Sequence, residues 1–193
     1  MLVPAELSTR LEPAATIYPP DPPGTVPAAV LVPLRLHPRG WKVLVTKRTD
    51  AVTTHKGQIS FPGGVHDRGT DPTFLATALR ETREEIGVPA GEIHILGRLA
   101  PYVTITNFCI HPFVGQLLGG EDYLPNPAEV ERILEFELAP LAEGRGYSSL
   151  SVEVEGHPYH SHVYSVAEDL VIWGATAHLL HQLLRLFSAG ATE

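Results

Sequence analysis

Residues 71 to 87 constrain the fold more than any other stretch. Asp71 and Pro72 open the segment and Gly87 closes it. Asp is a good N-cap, Pro fits the first helical position because its missing N–H is not needed there, and Gly suits the residue just past a helix end. The spacing therefore predicts a helix from about Pro72 to Ile86. At about 100° per residue, Leu75, Leu79, Thr82 and Ile86 fall within an arc of roughly 60°, with Ala78 at its edge, which gives one stripe to bury. Glu81, Glu84 and Glu85 then lie beside one another on its flank, near the C-terminal end. Like charges one turn apart and anions at that end of the helix dipole are both mildly unfavourable, so local helix stability does not account for them. Two readings stay open: a solvated face, with Arg80 and Glu84 as an i, i+4 pair offsetting the repulsion, or oxygen ligands for a hard divalent cation.

The segment just upstream bears on that choice. THKGQISFPGG, residues 54–64, is a glycine-punctuated loop that ends in a double glycine. Between Arg35 and Arg68 lie seven basic residues (Arg35, Arg39, Lys42, Lys47, Arg48, Lys56 and Arg68) against Asp50 and Asp67, a balance of +5. The whole chain carries −8, so the remainder is −13. Such charges suit either the solvated face of a sheet or a local anion site in an acidic protein. The overall sign disfavours a nucleic-acid binder.

AAVLVPLRL (28–36) and KVLVTKR (42–48) are apolar, β-branched runs separated by HPRGW, which predicts two paired strands and a turn. HILGRLA, YVTIT and FCIHPFVGQLL are strand-like by composition and alternation. EVERILEFELAPLAE (129–143) suits a strand by its alternation and a helix by its carboxylates. LSVEVEG and YHSHVYSV form a predicted hairpin around Gly156–Pro158, and a last helix is expected over about 173–188. The order is mixed α+β or α/β, with a sheet and at least two helices to cover it. Residues 13–27 hold six prolines, so 1–27 is expected to be a proline-rich arm and 28–193 a single domain.

With 44% hydrophobic and 19% charged residues the chain reads as a soluble protein. No run approaches the roughly 18 to 20 apolar residues of a membrane span, and the start shows no secretory signal, so a cytoplasmic location is expected. One cysteine, Cys109, excludes an intramolecular disulfide and any multi-cysteine metal site. It sits in an apolar run and is expected in the core. HPYHSH (157–162) has the look of a metal cluster, but on a hairpin His160 and His162 share one face and His157 takes the other, so zinc is not expected there. His178 and His181 read as packing or surface residues, and Trp173 and Phe187 as core anchors or part of a homodimer face.

The double glycine followed by RETREEIGV resembles the box of the Nudix hydrolases, G-x5-E-x7-R-E-U-x-E-E-x-G-U with U apolar. Arg80, Glu81, Glu84, Glu85, Gly87 and Val88 match, and Thr82 replaces an apolar residue. Fifteen residues separate Gly64 from Arg80 where the pattern has thirteen. Pro72 stands where its first glutamate belongs, and Asp71 is one step off. LVTKRTDAVTTHKGQISFPGG (44–64) is similar to the extra motif of the coenzyme A pyrophosphatase branch, through Leu44, Thr46, Arg48, His55, Gly57, Phe61, Pro62, Gly63 and Gly64. PNPAEVERI and IWGATAHLL are also similar to that branch, so the likeness covers about residues 28–186.

The resemblance implies an α/β/α sandwich with a mixed sheet flanked by helices. It also implies hydrolysis of the pyrophosphate of coenzyme A or a derivative to 3′,5′-ADP and (acyl-)4′-phosphopantetheine, with Mg²⁺ or Mn²⁺. Glu81, Glu85, Glu84 and the Gly64 carbonyl are the expected metal ligands, with Glu84 or Glu129 as general base and Arg80 orienting Glu84 or its neighbours. Arg48, His55, Lys56, Gly57, Phe61 and Gly63 are expected on the substrate side. The partner is then a small molecule, with no nucleic acid and no membrane. Two other readings remain open: a Nudix hydrolase of ADP-ribose, a dinucleotide or a nucleoside triphosphate, and a Nudix domain that binds a nucleotide metabolite without cleaving it.

Overall fold

The computed structural model describes residues 4–49, 57–120, 122–154 and 157–188. Strand β1 (Val26–His37) turns at Pro38 and Arg39 into β2 (Gly40–Arg48), and the two pair antiparallel with Leu34 opposite Val43 and His37 opposite Gly40. Two short strands, β3 (Ile59–Ser60) and β4 (Gly63–Val65), follow and pair with β2 and β1. After helix α2 (Phe74–Ile86) come β5 (Ile93–Arg98), β6 (Tyr102–Val103) and β7 (Phe108–Leu117). β7 lies parallel to β1, with Val30 opposite Pro112, and antiparallel to β5 and β6. Segment 129–143 divides: Val130–Glu137 is a strand, β8, paired with β2, and Leu138–Ala142 is a short helix, α3. The result is an eight-stranded mixed sheet with the central order β3-β2-β1-β7-β5.

Alternation along the strands sends side chains to two separate cores. Ala29, Leu31, Leu44, Phe113 and Leu117 meet Ala78 and Ile86 of α2 on one face. Val32, Leu34, Val43, Val45 and Val114 meet Leu179, Leu180 and Leu183 of the last helix, α4 (Gly174–Ser188), on the other. Helices on both faces of a mixed sheet make the expected α/β/α sandwich. On the α4 side lies a second sheet, the antiparallel β9 (Tyr147–Val154), β10 (His157–Ala167) and β11 (Leu170–Ile172). Its β9–β10 hairpin is the one anticipated from the sequence. Among the described residues no helix is long and apolar enough to cross a membrane.

The N-terminal segment begins with a short helix, α1 (Pro4–Arg10), whose Leu7 joins the α4-side core together with Leu11. The proline-rich stretch after it is irregular and is held by side chains of β5 and β7. Arg98 donates to the Thr16 carbonyl at 3.0 Å and lies over the Tyr18 ring, and His111 bonds Asp21 at 2.9 Å. Trp173 is 52% exposed, so it is not a core anchor; Phe187 packs against the α4-side core.

Candidate active site

Helix α2 starts two residues later than its proline suggests. Its N-cap is Thr73, whose hydroxyl accepts from the Ala76 N–H at 3.1 Å. Its end is as expected: Gly87 is left-handed at φ 76° and donates to the Arg83 carbonyl. Asp71 is released from capping and is buried instead. It takes the Arg80 guanidinium side-on, Nε to Oδ1 and Nη2 to Oδ2 at 3.0 Å each, and accepts from the Thr77 hydroxyl at 2.9 Å. Thr77 in turn bonds His66 Nδ1 at 2.8 Å. The Arg80 hydrogen bonds hold the Asp71 carboxyl down at about 2 against the opposing effect of burial.

Arg80 has a second side. Its Nη2 lies 2.8 Å from Glu81 Oε1, and its Nη1 donates to Glu84 Oε2 at 2.9 Å. One guanidinium, anchored from behind by Asp71, therefore contacts two of the three glutamates. Asp71 therefore serves the site rather than the helix end, where an N-cap was expected. The signal that could have found its role is a carboxylate nine residues before Arg80, where the Nudix pattern places one eight before.

The buried face of α2 is rotated by roughly 70° from the apolar stripe, at about 100° per residue. Thr77, Ala78, Thr82, Glu85 and Ile86 are buried, while Leu75 and Leu79 are half-buried at the flank. Thr77 and Glu85 are accepted inside because each meets polar groups there, which a pattern of apolar residues cannot show. The three glutamates thus differ in kind. Glu84 is exposed, Glu81 is half-buried, and Glu85 is only 2% exposed. Burial pushes the Glu85 carboxyl up to about 8; Arg48 and the Gly63 N–H oppose this, and the charges of Glu81 and Glu129 add to it. Burial raises Glu81 as well. Glu85 Oε2 is buried with no hydrogen-bond partner.

Gly63 and Gly64 bring backbone against these carboxylates. Gly63 pairs with Val30 and Gly64 with Ala29, which seats β4 on β1 beside α2. A Cβ at Gly64 would lie 2.5 Å from Glu81 Oε1, and one at Gly63 would lie 2.4 Å from the Ala29 carbonyl oxygen. Only glycine admits both approaches. Opposite stands Arg48, on the same face of β2 as Leu44 and Thr46. The β2–β8 ladder shifts register at this point, since Lys47 pairs with Arg132 but Arg48 with Val130. The extra residue, Glu131, is on β8, so β2 keeps its alternation through Arg48. Arg48 Nη1 comes to 3.8 Å from Glu85 Oε1.

Glu129 is delivered by a turn at Asn126, whose carbonyl accepts from the N–H groups of Glu129 and Val130. The same loop satisfies the last carbonyls of α2: Asn126 N–H donates to Glu85 and Leu124 N–H to Ile86. The structure thus gathers Arg48, Gly63, Gly64, Arg80, Glu81, Glu84, Glu85 and Glu129. It does not bring Phe61 there, because that ring is 4% exposed in the α4-side core. Gly57 adopts a left-handed turn at φ 64°, and His55 and Lys56 lie outside the described residues. A hollow of about 650 Å³ along the outer flank of α2 is lined by Ala76, Leu79, Arg80, Arg83, Glu84 and Pro89, and meets the site only at Arg80 and Glu84.

Two observations make these carboxylates fit a divalent cation, the metal that the resemblance implies. Glu85 has a buried oxygen left without a partner, and Gly64 leaves room for the Glu81 carboxylate against its backbone. Among the described residues the three-donor group closest to chelating distance lies elsewhere, at Asp21, Cys109 and His111. There Arg98 donates to His111 Nδ1 at 3.1 Å, so a neutral ring carries its proton on Nε2 and points it at Asp21. That group is a hydrogen-bonded clasp on the N-terminal segment, and Cys109 is buried as anticipated.

The model of the NUDIX domain matches residues 25–150. A protein of Photorhabdus laumondii named uncharacterized Nudix hydrolase NudL is 38% identical over 156 residues, 81% of this chain and 82% of that one. One of the same name from Yersinia pestis is 35% identical over 161 residues, 83% and 79% of the two chains. Among solved structures, a MutT protein from Methanosarcina mazei superimposes with a TM-score of 0.54 at 16% identity, over 87% of this chain and 96% of that one, a likeness of fold. By sequence, fold and the placement of its acidic helix, the chain belongs to the Nudix hydrolases.

Proposed function

We propose that this Nudix hydrolase cleaves the pyrophosphate of coenzyme A or a derivative, releasing 3′,5′-ADP and (acyl-)4′-phosphopantetheine. The observation that carries the reading is the meeting of Arg48 with Glu85 beside Gly63 and Gly64. It joins the LVTKR strand and the FPGG loop, the two parts of the coenzyme A-type motif, to the acidic helix.

Glu81, Glu85, Glu84 and the Gly64 carbonyl would hold Mg²⁺ or Mn²⁺, which when bound neutralises phosphate charge and lowers the pKa of a coordinated water. The remaining work falls to the chain itself. Asp71 and Arg80 fix Glu81 and Glu84. Glu84, the most exposed of the three glutamates, or Glu129 on its separate turn accepts the proton of the attacking water. Arg48, with His55 and Lys56, receives the phosphates of the substrate, including the 3′-phosphate that distinguishes coenzyme A from plain nucleotides.

The test is incubation with coenzyme A, acyl- and oxidised coenzyme A, dephospho-coenzyme A, ADP-ribose, NADH and a dinucleoside polyphosphate, with Mg²⁺ or Mn²⁺, and product identification by mass spectrometry. Preferential release of 3′,5′-ADP supports the proposal. Preferential cleavage of ADP-ribose or the dinucleoside polyphosphate moves the enzyme to another Nudix substrate class, and binding without turnover makes it a nucleotide-metabolite receptor.

A further inference from the structure

The two arginines of the site are held very differently. Arg80 makes contacts of 3.0 Å or less with Asp71, Glu81 and Glu84, and Asp71 is a permanent, buried counter-charge behind it. Among the described residues Arg48 has no such anchor. Its contact with Glu85 is 3.8 Å, longer than a hydrogen bond, and its Nε is buried without a partner. Glu85 Oε2 is unpartnered too, so each member of the pair is half-satisfied. Lys47, the neighbouring cation, is already engaged by Glu131 at 2.8 Å. Glu81, Glu84, Glu85 and Glu129 are not drawn into a chelating cluster, and guanidinium groups stand among them instead.

We propose that Arg48 is an exchangeable counter-charge. It faces Glu85 while no cation is bound, balancing the carboxylate when that group is ionised, and it is released to the substrate phosphate when a divalent cation takes the glutamates. This rests on the reading of those carboxylates as a cation site. Like charges a few ångströms apart in a partly buried site repel, so a cation on Glu85 disfavours the Arg48 guanidinium at its present distance, whereas Arg80 keeps its place because Asp71 holds it from behind. A bound phosphate then offers the displaced guanidinium the bidentate partner that Glu85 does not. Arg48 thus opposes metal binding by the free enzyme and favours phosphate binding by the metal-loaded one, and it couples the two.

Isothermal titration of the full chain with Mn²⁺ alone tests this. Arg48→Gln should bind Mn²⁺ about five- to tenfold more tightly than the unaltered chain, whereas Arg48→Lys should stay within about twofold of it. Lys47→Gln removes an equal charge one residue away and should also change affinity by less than about twofold. With Mn²⁺ saturating, Arg48→Gln should bind methylenediphosphonate about tenfold more weakly than the unaltered chain. Arg48→Met serves as a second neutral variant. Unchanged or weaker Mn²⁺ binding by the neutral variants overturns the assignment, as does equal tightening in Lys47→Gln. Absence of Mn²⁺ binding by the unaltered chain overturns the cation-site reading itself.

Discussion

Glu85 is faced by one guanidinium at 3.8 Å and is otherwise sealed between α2 and β4, so burial outweighs attraction and its carboxyl rises to about 8. A folded value above the ordinary one means that its stabilising contribution is complete below about 4.5 and is lost as pH rises towards 8. Metal-free Glu85→Gln should therefore melt several degrees above the unaltered chain at pH 8.5 and no higher at pH 4.5. Saturating Mn²⁺ should reverse the order at pH 8.5, since ligand at a hundredfold its Kd adds about 2.7 kcal/mol only where it binds. Equal melting at both pH values would refute the strained carboxylate. Asp71 has the opposite sign: its contribution is present above the ordinary value near 3.8 and is lost as pH falls to about 2. Asp71→Ala, which leaves Arg80 to Glu81 and Glu84, should cost about 1–3 kcal/mol by urea denaturation. Arg48→Ala should raise KM for coenzyme A more than for dephospho-coenzyme A, and an equal effect on both would remove Arg48 from the 3′-phosphate. Arg80 and the three glutamates were legible because chemistry fixes their spacing on one helix. The burial of Glu85 was not, because it depends on Arg48 and Gly63, which are distant in sequence.

Between elements, the two adjacent glycines of β4 make separable predictions. At Gly63 an added Cβ meets the backbone of β1, which cannot yield, so Gly63→Ala should destabilise the fold by about 1–3 kcal/mol. At Gly64 it meets the end of the Glu81 side chain, which can move. Gly64→Ala should keep the melting temperature while losing Mn²⁺ affinity by calorimetry, and the reverse pattern would contradict the geometry. The β9–β10 hairpin meets α4 through three imidazoles. His162 stacks on His181 at 3.8 Å, and His178 lies 5.8 Å from His162 and stacks on Tyr102. Tyr147, Tyr164 and Arg185 complete the surroundings. Burial lowers all three histidines, His178 to about 4, so the stability they contribute is present above 6.5 and is lost as pH falls through that window. Near-ultraviolet circular dichroism should report loosened tyrosine packing between pH 6.5 and 4, and His178→Phe should reduce the change. Strand alternation and the Gly87 cap were readable in advance. The helix start was not, because Asp71 satisfies Arg80 across the fold and leaves capping to Thr73. Segment 129–143 was ambiguous because a strand and a helix abut within it.

Over the whole molecule, the acidic surplus of −8 and the basic run between Arg35 and Arg68 meet at one place, where β2 ends beside α2. A sheet covered by helices could be anticipated from the order of elements, and its three layers from the resemblance to the Nudix hydrolases. The packing of the N-terminal segment could not, since Asp21 and Thr16 find His111 and Arg98 more than eighty residues away and no local periodicity encodes that. The sandwich brings together the basic end of β2 and the acidic helix α2, and the proposed substrate rests on the pairing of these two halves. The most direct test is kcat/KM for release of 3′,5′-ADP from coenzyme A with Mn²⁺, measured beside ADP-ribose and in Glu85→Gln. Coenzyme A should be preferred, and its cleavage should fall by at least about a hundredfold in Glu85→Gln. Equal or greater turnover of ADP-ribose, or 3′,5′-ADP release that survives the loss of Glu85, would contradict the account.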